Sequence, residues 1–143
     1  MNSRSGQRVA SAIELALTRS ARRRGLLHRT ALDPAAALLL APCAAVHTAF
    51  MQFAIDVIFV DRAGRVRRIV RRLQPWRIAA SRHAYATVEL AAGSLDSRDV
   101  AVGDRLYLET TDAAGVDVDA ESASSRFADS LRRTARNPAC CRS

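Results

Sequence analysis

Lysine is absent: all 22 basic residues of this 143-residue chain are arginine, and set against 14 acidic residues they leave a formal charge of +8 at pH 7. A charge of that size attracts polyanions in general, but nucleic-acid binding depends on cations clustered on one face rather than on net charge. An all-arginine, alanine-rich usage is also a coding style, so nucleic acid is not expected as the partner. Aromatics are scarce at 5% while hydrophobic residues reach 49%, so a core must be built from Val, Leu, Ile and Ala. The three cysteines cannot make a disulfide framework, because Cys43 stands in an apolar context and Cys140-Cys141 in a polar one. Reduced thiols in a cytoplasmic protein fit that pattern. The ending Cys140-Cys141-Arg142-Ser143 lacks the aliphatic pair of a prenylation box. No run approaches the roughly 18 apolar residues that a membrane span requires. Residues 9–17 are too short an apolar stretch for an export signal and are interrupted by Glu14. The expectation is a single soluble, cytoplasmic domain without a membrane anchor.

Read in order, residues 1–8 are polar and expected to fray. Residues 9–17 fit a helix through Val9, Ile13 and Ala16, or a strand through Ile13, Leu15 and Leu17. Thr18 is placed to cap a short arginine-rich helix that Gly25 would end. Asp33-Pro34 is a local helix start, yet Pro42 follows so soon that Leu38 to Leu40 read better as a strand. The run Ile55-Asp56-Val57-Ile58-Phe59-Val60 is apolar on both faces and so buried on both. Asp61-Arg62-Ala63-Gly64 is a hairpin connection, and the arginine-laden strand over residues 66–73 is expected at a sheet edge. Pro75-Trp76 breaks it, with Trp76 expected as a lid on the core. Residues 78–85 read as loop, 87–90 as a strand, 94–99 as a polar turn and 105–110 as a last strand. Residues 112–143 read as a polar, disordered tail, although Phe127 and Leu131 could support one weak helix.

Asp56 is the most informative residue, since a carboxylate in a two-sided apolar strand costs several kcal/mol unless it is paired or hydrogen-bonded. Its candidate partners are Arg24, Arg29, His47, Thr48 and backbone amides. One reading is a structural staple. The other is a small polar pocket in which His47 and Asp56 hold a ligand. Cys43 and His47 are too far apart along a strand, at roughly 13 Å, for a thiol–imidazole nucleophile. Metal binding by Cys43, His47 and Asp56, with His28 or His83 as a further ligand, suffers the same separation and lacks paired-ligand spacing, so neither metal nor cofactor is expected. Met51 reads as core filler.

Several separated motifs then agree with a known family. Arg24-Gly25-Leu26-Leu27-His28-Arg29, Pro42-Cys43, His47-Thr48 with Met51, Ile55-Asp56-Val57 with Phe59, Gly64 with Val66, Pro75-Trp76-Arg77, Glu89-Leu90 with Gly93, and Gly103-Asp104 with Leu106 stand in its order and spacing. Over residues 10–110 the chain resembles the family catalogued as domain of unknown function 192. Ala54 replaces the family's usual proline. The resemblance implies a mainly β domain, a compact single-domain β-sandwich or barrel with one or two short helices, here over residues 9–111. It implies no reaction. Three classes follow: a non-enzymatic binding or accessory domain with a small-molecule or protein partner and a pocket at His47, Thr48, Asp56, Arg24 and Arg29; an enzyme using His47 and Asp56 as an acid–base pair; and an arginine-rich anion or nucleic-acid module, which needs its arginines on one face.

Overall fold

The computed structural model describes residues 1–109. The expected tail over 112–143, with Phe127, Leu131, Cys140 and Cys141, lies outside the described residues.

Period-two alternation decides the architecture. In β2 (Ala36–Leu40) and β4 (Ile55–Val60) apolar side chains point to both faces, and β7 (Ala86–Ala91) is likewise buried on both, so these strands take the middle of a sheet covered on both sides. β1 (Ala12–Ala16) and β5 (Val66–Leu73) form the edges, giving the order β1-β2-β7-β4-β5. β1 runs parallel to β2 and the other neighbours are antiparallel. The sheet is open at both edges, so the architecture is a sandwich and not a closed barrel.

One face of this sheet buries Ala37, Leu39, Ile58, Val60 and Leu90 against Val9, Leu95 and Val100. The other face buries Leu38, Leu40, Ile55, Val57, Phe59 and Leu73. Two covers lie on that second face. Leu26 and Leu32 follow helix α1 (Arg19–Arg24), and Val46 and Ala79 come from a ribbon of β3 (Ala45–His47) and β6 (Ile78–Ala80). Met51 fills the same core.

The local signals worked where the chemistry was local. Thr18 caps α1 by accepting the Ala21 N–H at 3.1 Å, and the Gly25 amide closes its end on the Ala21 carbonyl. At the β4–β5 hairpin Asp61 Oδ1 accepts the amides of Ala63 and Arg65, while Gly64 takes a φ of 76°. β5 is the edge strand that its arginines suggested.

Four expectations need correction. Residues 1–8 do not fray: Asn2 is fully buried, donating to the Asp99 carbonyl and to Asp104, and Arg4 forms salt bridges with Asp99 and Asp104. Arg4 also holds the Asp104 carboxyl well below the usual carboxylate range. Residues 78–85 are not all loop, because β6 pairs with β3 there. Arg105 and Leu106 make only isolated bridges instead of a strand. Trp76 is not a lid, since it stands 62% exposed.

Candidate functional site

Alternation along β4 places the residues that were expected to converge. Ile55, Val57 and Phe59 face α1 and the β3–β6 ribbon, so Asp56 faces the opposite side, toward Leu90 and Leu95. The pairing of β4 with β5 slips between Ile55 and Val57, leaving an extra residue at Arg71-Arg72. Arg72 sits there at a φ of 50°, and its freed amide donates to Asp56 Oδ1 at 2.8 Å. Asp56 Oδ2 accepts the Leu95 amide at 2.9 Å. Asp56 is thus a fully buried staple between the β5 bulge and the turn after β7. Arg71 and Arg72 reinforce it from outside through Asp96.

The other expected members lie elsewhere. Arg24 is exposed at the end of α1, and Arg29 makes a two-pronged bond from Nη2 to both oxygens of Glu14, at 2.7 and 2.8 Å. His47 is exposed on β3, opposite Ile78. Thr48 is fully buried: its hydroxyl donates to the Gln74 carbonyl at 2.6 Å and accepts the Arg77 amide at 2.9 Å. No hydrogen bond joins Asp56 to His47, Thr48, Arg24 or Arg29, and the expected pocket is not assembled. The sequence does not reveal which face α1 and the ribbon cover, and that choice separates them. Cys43 is buried with Sγ donating to the Ala45 carbonyl at 3.0 Å. Among the described residues no three His, Cys, Asp or Glu side chains gather as a metal site.

Sequence reasoning missed two features. The first is Glu89, in the middle of β7 between Leu38 and Val57. It is 5% exposed on the face that α1 and the ribbon cover, and its Oε2 is sealed without a hydrogen-bond partner. Burial pushes its carboxyl up to about 7, against an opposing pull from Arg29. The register Glu14–Leu38–Glu89 explains that pull, for Arg29 sits on Glu14, two strands away along the same row. The sequence signal at Asp56, a carboxylate among apolar neighbours, is present at Glu89 too.

The second feature is a platform at the end of the ribbon. Phe50 and Trp76 are 75% and 62% exposed, with ring centroids 4.7 Å apart in an edge-on pair. Ile78, 78% exposed, stands two residues on from Trp76. Both aromatics occupy the left-handed region, at φ of 65° and 61°. Such backbone costs on the order of 1–3 kcal/mol per residue when the side chain is large. Thr48 enforces it: its carbonyl accepts the amides of Met51 and Trp76, and its own amide donates to Arg77. A fully buried threonine therefore holds two large rings in water.

Two hollows lie away from all these groups. An apolar one of about 40 Å³ is lined by Val9, Leu39, Val60 and Val88, and a more open one of about 230 Å³ runs past Arg8, Ile13, Leu15 and Glu109. No helix among the described residues is long and apolar enough to cross a membrane.

Comparison with known proteins agrees with this fold. Nothing among curated proteins matches the chain. Two solved structures share the fold at a TM-score of 0.60 each. One is a putative transcription regulator from Sinorhizobium meliloti 1021, 27% identical over 65% of this chain and 78% of its own. The other is a protein of unknown function from Novosphingobium aromaticivorans DSM 12444, 24% identical over 65% of this chain and 71% of its own. The model of the family described as "DUF192: Uncharacterized ACR" matches residues 1–108, all but one of the described residues, and the chain belongs to that family.

Proposed function

We propose that this chain is a non-enzymatic binding domain that meets its partner through the platform of Phe50, Trp76 and Ile78. The observation that carries the reading is the coincidence of strained backbone with exposed rings at Phe50 and Trp76. Rings kept for packing would turn inward, and a chain kept for stability would place glycine at these angles. Strain retained beside an exposed apolar surface is the pattern of a contact site, and Trp and Phe are among the residues that binding interfaces favour. An acid–base pair of His47 and Asp56 finds no support in this geometry, because both Asp56 oxygens are committed to buried amides.

The test exchanges each ring for glycine. Phe50→Gly and Trp76→Gly relieve the left-handed backbone but loosen the unfolded chain, and the two effects are of similar size. Each variant is therefore expected within about 1 kcal/mol of the parent in urea unfolding. A loss above roughly 3 kcal/mol, the scale of core truncations, would show that the rings are packing elements and remove the reading.

A further inference from the structure

Resting on that platform, we propose that the ligand is single-stranded nucleic acid, lying along β6 and the turn that follows it. Residues 34–55 carry no carboxylate, and residues 62–88 carry none beside eight arginines, of which Arg67, Arg71 and Arg72 pair with Asp61 and Asp96. Arg77 follows Trp76 and has no side-chain partner among the described residues. Arg68 reaches from β5 to the Ala80 carbonyl at 2.5 Å, and Arg62 stacks over Tyr85 with its guanidinium carbon 4.9 Å from the ring centroid. Arg82 lies between Ala80 and Tyr85 in the chain, with Nε directed at His83. Four arginines, Arg62, Arg68, Arg77 and Arg82, thus stand beside β6 and the turn that follows it.

Chemistry favours a single strand over the other polyanions. Unpaired bases offer faces to stack on exposed rings while arginines follow the phosphates. A duplex hides those faces, and its major groove, about 12 Å wide, is read by a helix or a longer two-stranded ribbon than this one of three residue pairs. An anionic membrane surface would be met by an apolar tip inserted into it, with cations on the flanks. Here Arg77 and Arg82 lie between Trp76 and Tyr85 in the chain, one on each side of β6.

Trp76 is the only tryptophan, so its emission reports the site directly in the full chain. An oligothymidylate of about 12 nucleotides, within the length one small domain covers, is expected to quench it and to saturate. Affinity should fall with salt by a slope of about −0.7 per phosphate contacted, and Arg77→Ala and Arg82→Ala should each make that slope shallower. Phe50→Ala should weaken binding about tenfold. The matching duplex and polyglutamate should bind at least about tenfold more weakly than the single strand, since neither offers free base faces. Equal binding of duplex or polyglutamate, or unchanged affinity in all three variants, overturns the proposal by reducing it to charge. A blue shift with phosphatidylglycerol vesicles and none of this quenching overturns it in favour of a lipid surface. Silence toward every polyanion also overturns it. The platform reading survives each of these results, because it falls only to the glycine variants.

Discussion

Asp56 and Glu89 occupy neighbouring strands of one sheet, on opposite faces, and both are buried. Their environments could hardly differ more. Asp56 meets a β-bulge and a turn, two places where the backbone has amides to spare, and each of its oxygens takes one. Glu89 lies in the regular middle of β7, where ladder hydrogen bonds already occupy the neighbouring amides on both sides. Its Oε2 is left with nothing. Burial alone therefore says little about what a carboxyl group does. The nearby irregularity of the backbone decides whether it can be satisfied.

The largest effect expected from breaking this contrast is at Asp56. Asp56→Ala strands the amides of Arg72 and Leu95 in the interior, at about 1–3 kcal/mol each, so a loss of roughly 3–5 kcal/mol is expected in urea unfolding. Asp56→Asn keeps one acceptor and should lose about half of that. Because the partners are main-chain groups, double-mutant cycles with Arg24→Ala, Arg29→Ala or His47→Ala should couple by less than about 0.5 kcal/mol. Coupling above roughly 1 kcal/mol to any of them would mean that the expected polar cluster does form in solution.

The contrast also marks how far the sequence could be read. Signals carried by adjacent residues came through: the Thr18 cap, the Gly64 turn, the two-sided burial of β4 and the edge position of β5 were all legible. That Asp56 needed a partner was legible as well. Its actual partner was not, because a bulge at Arg72 depends on the register between β4 and β5, which no local pattern encodes. The amino terminus failed for a similar reason. Asn2 and Arg4 are polar and look free, yet they are held by Asp99 and Asp104 from the far end of the domain. Trp76 misled because proximity to proline suggested a cover, while its direction is set by Thr48 in a different segment.

A smaller effect, with the opposite sign, is expected at Glu89. Its carboxyl is raised to about 7 from an ordinary 4.5, so between those values the folded chain holds a proton that the unfolded chain has released. Stability must therefore fall as pH rises from about 4.5 to 7 and level off above that. At about 1.4 kcal/mol for each pH step of one across that window, the whole loss is roughly 3 kcal/mol. Glu89→Gln removes the titrating group. Its unfolding free energy relative to the parent should rise across that window and stay constant above about pH 8, as measured by urea unfolding at a series of pH values. A parent and variant that run parallel from about pH 4 to 9 would mean that Glu89 finds a partner or water that relieves its burial.

The smallest effect concerns the charge that tempers Glu89. Arg29 pulls the Glu89 carboxyl down, but its guanidinium is divided, because Glu14 holds it on an exposed part of the same row. Two single changes should then move the Glu89 midpoint in opposite directions. Arg29→Ala removes the favourable charge and should raise the midpoint above about 7, whereas Glu14→Gln loosens the competing bond and should lower it. Both displacements should be below about one pH unit, since the pair acts through partly solvated space and salt screens it. Carbon-13 detection of the Glu89 carboxyl through a pH titration reads each midpoint without reference to unfolding. Added salt should shrink both displacements together, leaving the elevation that burial alone produces. If Arg29→Ala lowers the midpoint, or if both variants move it the same way, the electrostatic link between the Arg24-to-Arg29 motif and the Glu89-Leu90 motif is broken. The raised carboxyl would then be a property of β7 alone.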